Sequence, residues 1–218
     1  MSTRQSLEPR VFSLLDRLIE PADQALRTLF RATHCARPYP AEQIPETVAD
    51  SQRSEVAALM RINHAGEVAA QALYQGQALV AGNTRTREAL LEAGREEADH
   101  LAWCSRRVQE LGSRTSLLDP LWYAGSFAIG VVAGIAGDRT SLGFVAETER
   151  QVVEHLQGHL GQLPHDDMRT RAIIDQMRAD EQRHGESAMH AGGAELPTLA
   201  RALMKATAKV MTTTARWL

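Results

Sequence analysis

Two short strings in this sequence set a carboxylate and an imidazole at the same interval: Glu97-Ala98-Asp99-His100 and Glu181-Gln182-Arg183-His184. On an α-helix three residues turn through about 300° and rise about 4.5 Å, so both side chains leave nearly the same face and can share a metal ion. A lone Glu-x-x-His is weak, because solvated helical charge produces it readily. The setting gives these two their weight. Glu67 precedes Glu97 by 30 residues, Glu149 precedes Glu181 by 32, and the two sets are related by shifts of 82 and 84. The midpoints of the two intervals fall at Gly82-Asn83-Thr84 and His165-Asp166-Asp167, strings that favour turns. Folding each half at its own turn brings Glu67 level with the first pair and Glu149 level with the second.

Four carboxylates and two imidazoles at one depth suit two iron or manganese ions better than a structural zinc. Small and apolar neighbours surround Glu67 (Asn63-His64-Ala65-Gly66 before it, Val68-Ala69-Ala70 after) and precede Glu149 (Gly143-Phe144-Val145-Ala146). Unpaired carboxylates in such surroundings are costly, and bound cations would compensate them. Some choices stay open on spacing alone. Glu96 stands four residues before His100 and Asp180 four before His184, so either can replace its neighbour as a ligand. Asp99 and Asp180 can instead orient a ligating histidine through its second nitrogen, or be exposed helical acids. Glu147 competes with Glu149 but points nearly the opposite way and lacks the 82-residue repeat. His64 and His155 are expected to be structural residues or neighbours of the ligands rather than ligands themselves. His34, His159, His165 and His190 are expected to face solvent, and Cys104 to be a buried, inert thiol.

The elements that must carry these residues are helices. Ala, Leu, Glu, Arg and Gln dominate, aromatic residues are 5% of the chain, and no stretch alternates as a strand would. The periodicity predicts helices over 54–81 (Ser54 as cap), 84–111 (Thr84 as cap), 141–163, 168–191 and 196–217. Gly82, Gly112 and Gly192 stand at or just past three of their ends. The fold class is therefore all-α. Two short-loop hairpins joined by the longer connection 112–140 have the connectivity of a ferritin-like four-helix bundle with one crossover. Residues 1–50 read as an N-terminal arm and 51–218 as the domain. Within the arm, Phe12, Leu15, Leu18 and Ile19 fit a short amphipathic helix that Pro21 interrupts or restarts.

From Pro120 to Gly137 the crossover carries no charge. A membrane span there would put the two hairpins on opposite sides of the bilayer, so a face resting on lipid or a packing helix is expected instead. The last helix places Arg201, Lys205 and Lys209 beside Leu199, Leu203, Ala206 and Val210, a pattern suited to an anionic lipid interface or to docking on the bundle. A net charge of −3 argues against nucleic acid as a partner. Cys35 and Cys104 are the only cysteines and form no CxxC pair, which suggests a reducing setting and excludes a rubredoxin-like iron site. Acids interrupt the N-terminal apolar residues, so a signal or transit peptide is not expected.

The strings RINHAGEVAAQALYQGQ (61–77), EEADH (96–100), FVAETE (144–149) and DEQRH (180–184) resemble the demethoxyubiquinone hydroxylases of ubiquinone biosynthesis over roughly residues 51–218. The resemblance implies that Glu67, Glu97, His100, Glu149, Glu181 and His184 hold two iron ions. It also implies that the substrate is a polyprenylated benzoquinol lacking one ring oxygen. A member would be an O2-dependent monooxygenase fed by an electron donor of unassigned identity. It would sit as a peripheral protein on the cytoplasmic face of a bacterial inner membrane, or less readily a mitochondrial one. Other proteins of ubiquinone biosynthesis are candidate partners. His155 corresponds to a family histidine near the site. The rival readings are a di-iron hydroxylase of another substrate, a ferritin-like iron-oxidising protein, and a helical membrane adaptor without activity.

Overall fold

The computed structural model describes residues 14–30 and 35–217, with side chains from Ile19 onward. Phe12, His34 and the side chains of Leu15 and Leu18 lie outside the described residues. In chain order the helices are α1 (Leu14–Phe30), α2 (Asp50–Val80), α3 (Thr84–Glu110), α4 (Asp119–Ile135), α5 (Asp138–Gln162), α6 (Met168–His190) and α7 (Thr198–Ala215), with no strand among the described residues. The hairpins α2–α3 and α5–α6 form a ferritin-like four-helix bundle, and α4 lies in the crossover between them.

Local chemistry explains the turns. Asn83 caps α3, its side-chain oxygen accepting the Thr86 N–H at 2.8 Å. The cap is thus Asn83 rather than Thr84, which is already the first helical residue; Asn supplies a free carbonyl in an extended backbone. Ser54 likewise lies inside α2, which begins at Asp50 after Ala49 without a side-chain cap. Asp167 caps α6 by accepting the Thr170 N–H at 2.9 Å. Asp138, at the start of α5, accepts the Gly82 N–H at 2.8 Å and bonds Asn83, pinning the first hairpin's turn to the second hairpin. Pro21 does not interrupt α1, which continues through it; one backbone hydrogen bond is given up there.

Two apolar clusters fill the bundle at different heights. One gathers Val56, Leu59 and Met60 of α2, Trp103 and Val108 of α3, Leu156 and Leu160 of α5, and Ile173, Ile174 and Met177 of α6. The other holds Ala70, Tyr74 and Ala78 of α2, Leu90 of α3, Val145 of α5 and Ala188 of α6. Along every helix the six polar positions singled out above fall between these two clusters. The arm completes the first cluster: Tyr39, Ala41 and Val48 are buried in it, and Glu46 bonds the fully buried Arg107 at 2.5 Å.

The crossover helix α4 lies flat against α2. A Cβ on Gly130 would collide with the Leu73 carbonyl, and one on Gly76 with the Phe127 carbonyl, so these glycines permit the close approach. Its other face leaves Leu121, Val132 and Ile135 exposed. No helix among the described residues is long and apolar enough to cross a membrane. Helix α7 docks through Ala215, buried among Ile62, Ala65 and Trp122, while Leu199, Leu203 and Val210 stay exposed.

Candidate metal centre

The six residues named from spacing come together in the middle of the bundle, and all are buried. Their ligand atoms form two groups, Glu67–Glu97–His100–Glu181 and Glu97–Glu149–Glu181–His184, each with its four atoms within 4.8 Å of one another. Glu97 and Glu181 belong to both. Glu97 sets one oxygen 3.0 Å from His100 Nδ1 and the other 3.0 Å from His184 Nδ1. Glu181 does the same at 2.9 and 3.2 Å. Glu67 and Glu149 flank the two ends.

The donor set fits two divalent cations. Glu97 Oε1, Glu149 Oε1 and Glu181 Oε1 are buried without a hydrogen-bond partner. Two of them lie near a ring nitrogen yet lack bonding geometry, so they remain unpaired inside the cluster. Four carboxylates, were all of them ionised, would outweigh the two imidazoles even with both rings protonated. Burial, reinforced by the neighbouring carboxylates, pushes Glu67 and Glu149 well above the usual range. Burial opposes ionisation of Glu97 too, but His100 holds it below that range. Against the effect of burial, Glu181 and Glu97 push His184 up to about 11, and they raise His100 as well. Side chains that compete this strongly for protons are suited to metal, which replaces the protons with positive charge.

Each histidine turns Nδ1 inward and Nε2 outward, and each outward nitrogen meets a carboxylate from the opposite hairpin. Asp180 of α6 lies 3.0 Å from His100 Nε2, and Glu96 of α3 lies 2.9 Å from His184 Nε2. Glu96 and Asp180 thus stand on the outer sides of the rings, apart from the two groups of four to which Glu97 and Glu181 belong. Asp99 neither orients a histidine nor faces solvent. It is buried, accepting the Ala36 N–H at 2.6 Å and Arg37 Nε at 2.9 Å. Arg37 also donates to Asp180 at 2.7 Å. Glu96 had a sequence signal, the acidic residue preceding both Glu-x-x-His strings; Arg37 had none, because its partners lie far along the chain.

The remaining titratable groups sort as follows. Glu147 pairs with Arg150 at 2.8 Å, away from the cluster. His64 is buried, its Nδ1 3.2 Å from Asp119 at the start of α4 without hydrogen-bonding geometry. His155 is half-buried, its ring centroid 4.0 Å from that of His159. His159 does not face solvent as expected. It is 4% exposed, and burial, with His155 and Arg216 beside it, pushes it down to about 3. His165 and His190 are exposed. Cys104 is buried against Met177, and burial pushes its thiol well up, as suits an inert group.

A cavity of about 470 Å³ opens between α5, α6 and the start of α7, its lining including Gly143, Ala146, Gly185, Met189 and Arg201. Glu181 lies on its wall. Gly185 backs directly onto Glu149, so the wall over the carboxylates is thin.

A ferritin-like bundle enclosing a buried carboxylate–histidine cluster is the class that this fold and site define. Within that class, the model of the family described as ubiquinone biosynthesis protein COQ7 matches residues 54–215, and the chain belongs to that family. Among its relatives is a protein of Cupriavidus taiwanensis that is 59% identical over 204 residues, covering 92% of this chain and 99% of the relative. One of Polynucleobacter asymbioticus is 56% identical, covering 93% and 98%. One of Nitrosospira multiformis is 55% identical, also covering 93% and 98%. All three are named 3-demethoxyubiquinol 3-hydroxylase.

Proposed function

We propose that this chain is an O2-dependent di-iron monooxygenase that hydroxylates the ring of a polyprenylated demethoxybenzoquinol in ubiquinone biosynthesis. The observation that carries this reading is the pair of four-residue groups sharing Glu97 and Glu181. Bound there, two iron ions would supply the redox chemistry that activates O2. Glu67, Glu97, His100 and Glu181 would hold one ion, and Glu97, Glu149, Glu181 and His184 the other.

The rest is work for the protein's own side chains. Asp180 and Glu96 stand at the Nε2 atoms of the two histidines, where each can accept an Nε2 proton, the tautomer that would leave the Nδ1 lone pair for metal. The apolar clusters above and below keep water from the ends of the bundle. The cavity beside Glu181 gives an aromatic ring a lateral approach. The exposed apolar residues of α4 and α7, with Arg201, Lys205 and Lys209 alongside, suit a peripheral position on an anionic membrane that holds the substrate. The cytoplasmic face of a bacterial inner membrane is the proposed location.

The test uses iron-loaded protein with a chemical reductant, labelled O2 and a short-chain demethoxyquinol. One labelled oxygen enters the ring, and Glu149→Ala abolishes the product. Stoichiometric iron without ring oxygenation overturns the substrate; a chain that takes up no iron overturns the centre.

A further inference from the structure

The two halves of the cluster are built alike but supported differently. On one side, Asp180 is 1% exposed and every oxygen is engaged. Its Oδ2 meets His100 Nε2 and accepts Arg37 at 2.7 Å, while its Oδ1 accepts Arg183 at 2.8 Å and Gln176 at 3.1 Å. Arg37 is in turn held by Asp99 at 2.9 Å, its Nη2 also lies 3.2 Å from His100 Nε2, and its guanidinium lies 4.8 Å from the centroid of Trp103, whose ring is 5.3 Å from that of His100. On the other side, Glu96 is 35% exposed and meets only His184 and Arg183, both through Oε2. No arm residue backs it among the described residues.

Resting on the reading of the six side chains as ligands of two ions, we propose that Arg37 is a positioning residue that makes the two metal positions unequal. By fixing Asp180 against His100 from outside the bundle, it makes the His100 position the tighter and leaves the His184 position the more readily emptied. The physical basis is the cost of reorientation. An imidazole whose outer nitrogen is held by an anchored carboxylate loses little freedom on binding metal, whereas one held by a half-solvated carboxylate must be ordered first. Guanidinium geometry matters here, since one planar group bonds two carboxylates on two helices at once. The arm thereby acquires a task at the centre as well as its apolar packing.

The experiment is an anaerobic Fe(II) titration of the full chain, followed by dialysis against a chelator of intermediate strength and an iron count. Circular dichroism checks folding of each variant. Wild type binds two ions in two resolved steps and keeps one after dialysis. Arg37→Gln still binds two, but its tighter constant falls about ten-fold, the lower end for outer partners of metal ligands because Arg37 is partly exposed. The steps merge and dialysis removes both ions. Glu96→Gln lowers the weaker constant instead and widens the gap. Asp99→Asn, which frees Arg37 from α3, shifts the tighter constant in the same direction as Arg37→Gln and carries the test if that variant does not fold. Two ions bound by Arg37→Gln with wild-type constants overturn the proposal while leaving the ligand assignment standing. A wild-type chain that binds no iron overturns the assignment itself.

Discussion

Glu67 and Glu149 are buried carboxylates raised well above their ordinary range, first by burial and then by neighbouring carboxylates. A carboxyl raised in the folded state opposes folding at neutral pH, because the unfolded chain releases its proton more easily. Each therefore destabilises the polypeptide by itself and is useful only with a cation beside it. Replacing Glu149 with Gln should lower bound iron from two ions to one. In chelator-treated protein the same change should raise stability by about 1–3 kcal/mol at neutral pH, read as a shifted urea midpoint. Lower stability without metal would count against a site strained for function. These six residues were legible in the sequence because two helical hairpins with central turns force their positions level. Arg37 was not, since the contact depends on how a proline-containing arm folds back. Asp99 was misread with it, because helical spacing gives a side chain's direction and not the partner it meets.

Element boundaries followed from local chemistry, with α2 starting earlier and α3 capped one residue sooner than the pattern suggested. What periodicity could not give was the surface that another helix covers. His159 shows the difference: on α5 alone its position reads as solvent-facing, yet it is buried, with Arg216 from just past α7 nearby, and burial pushes it down to about 3. Above about pH 6.5 the ring is neutral in both states and has no effect on stability. As pH falls below that value the unfolded chain takes up a proton that the folded chain refuses, so stability is lost down to about pH 3. Between pH 7 and pH 5 the loss from this one group is about 2 kcal/mol. A His159→Phe variant should lack that component, so its thermal midpoint should fall less than the wild type's over the same interval. Equal falls in both proteins would mean that the ring is not shielded as described.

Across the whole molecule, α4 and α7 both rest on α2 and both present apolar residues outward, with Lys205 and Lys209 exposed on α7. Charge near an anionic membrane surface contributes about 1 kcal/mol per residue, so Lys205→Gln with Lys209→Gln should weaken binding to anionic vesicles about thirty-fold. Binding to zwitterionic vesicles should change little, and co-sedimentation at low and high salt separates the two. Equal affinity of wild type and variant for anionic vesicles would remove the basic helix from any lipid contact. The pairing of the two hairpins has a different consequence. Residues 50–110 supply Glu67, Glu97 and His100 but need Glu181; residues 138–190 supply Glu149, Glu181 and His184 but need Glu97. Neither hairpin encloses a complete set alone, and the exchange is reciprocal, as between the halves of a twofold dimer. Two copies of a single such hairpin, laid side by side, would offer the same four carboxylates and two imidazoles.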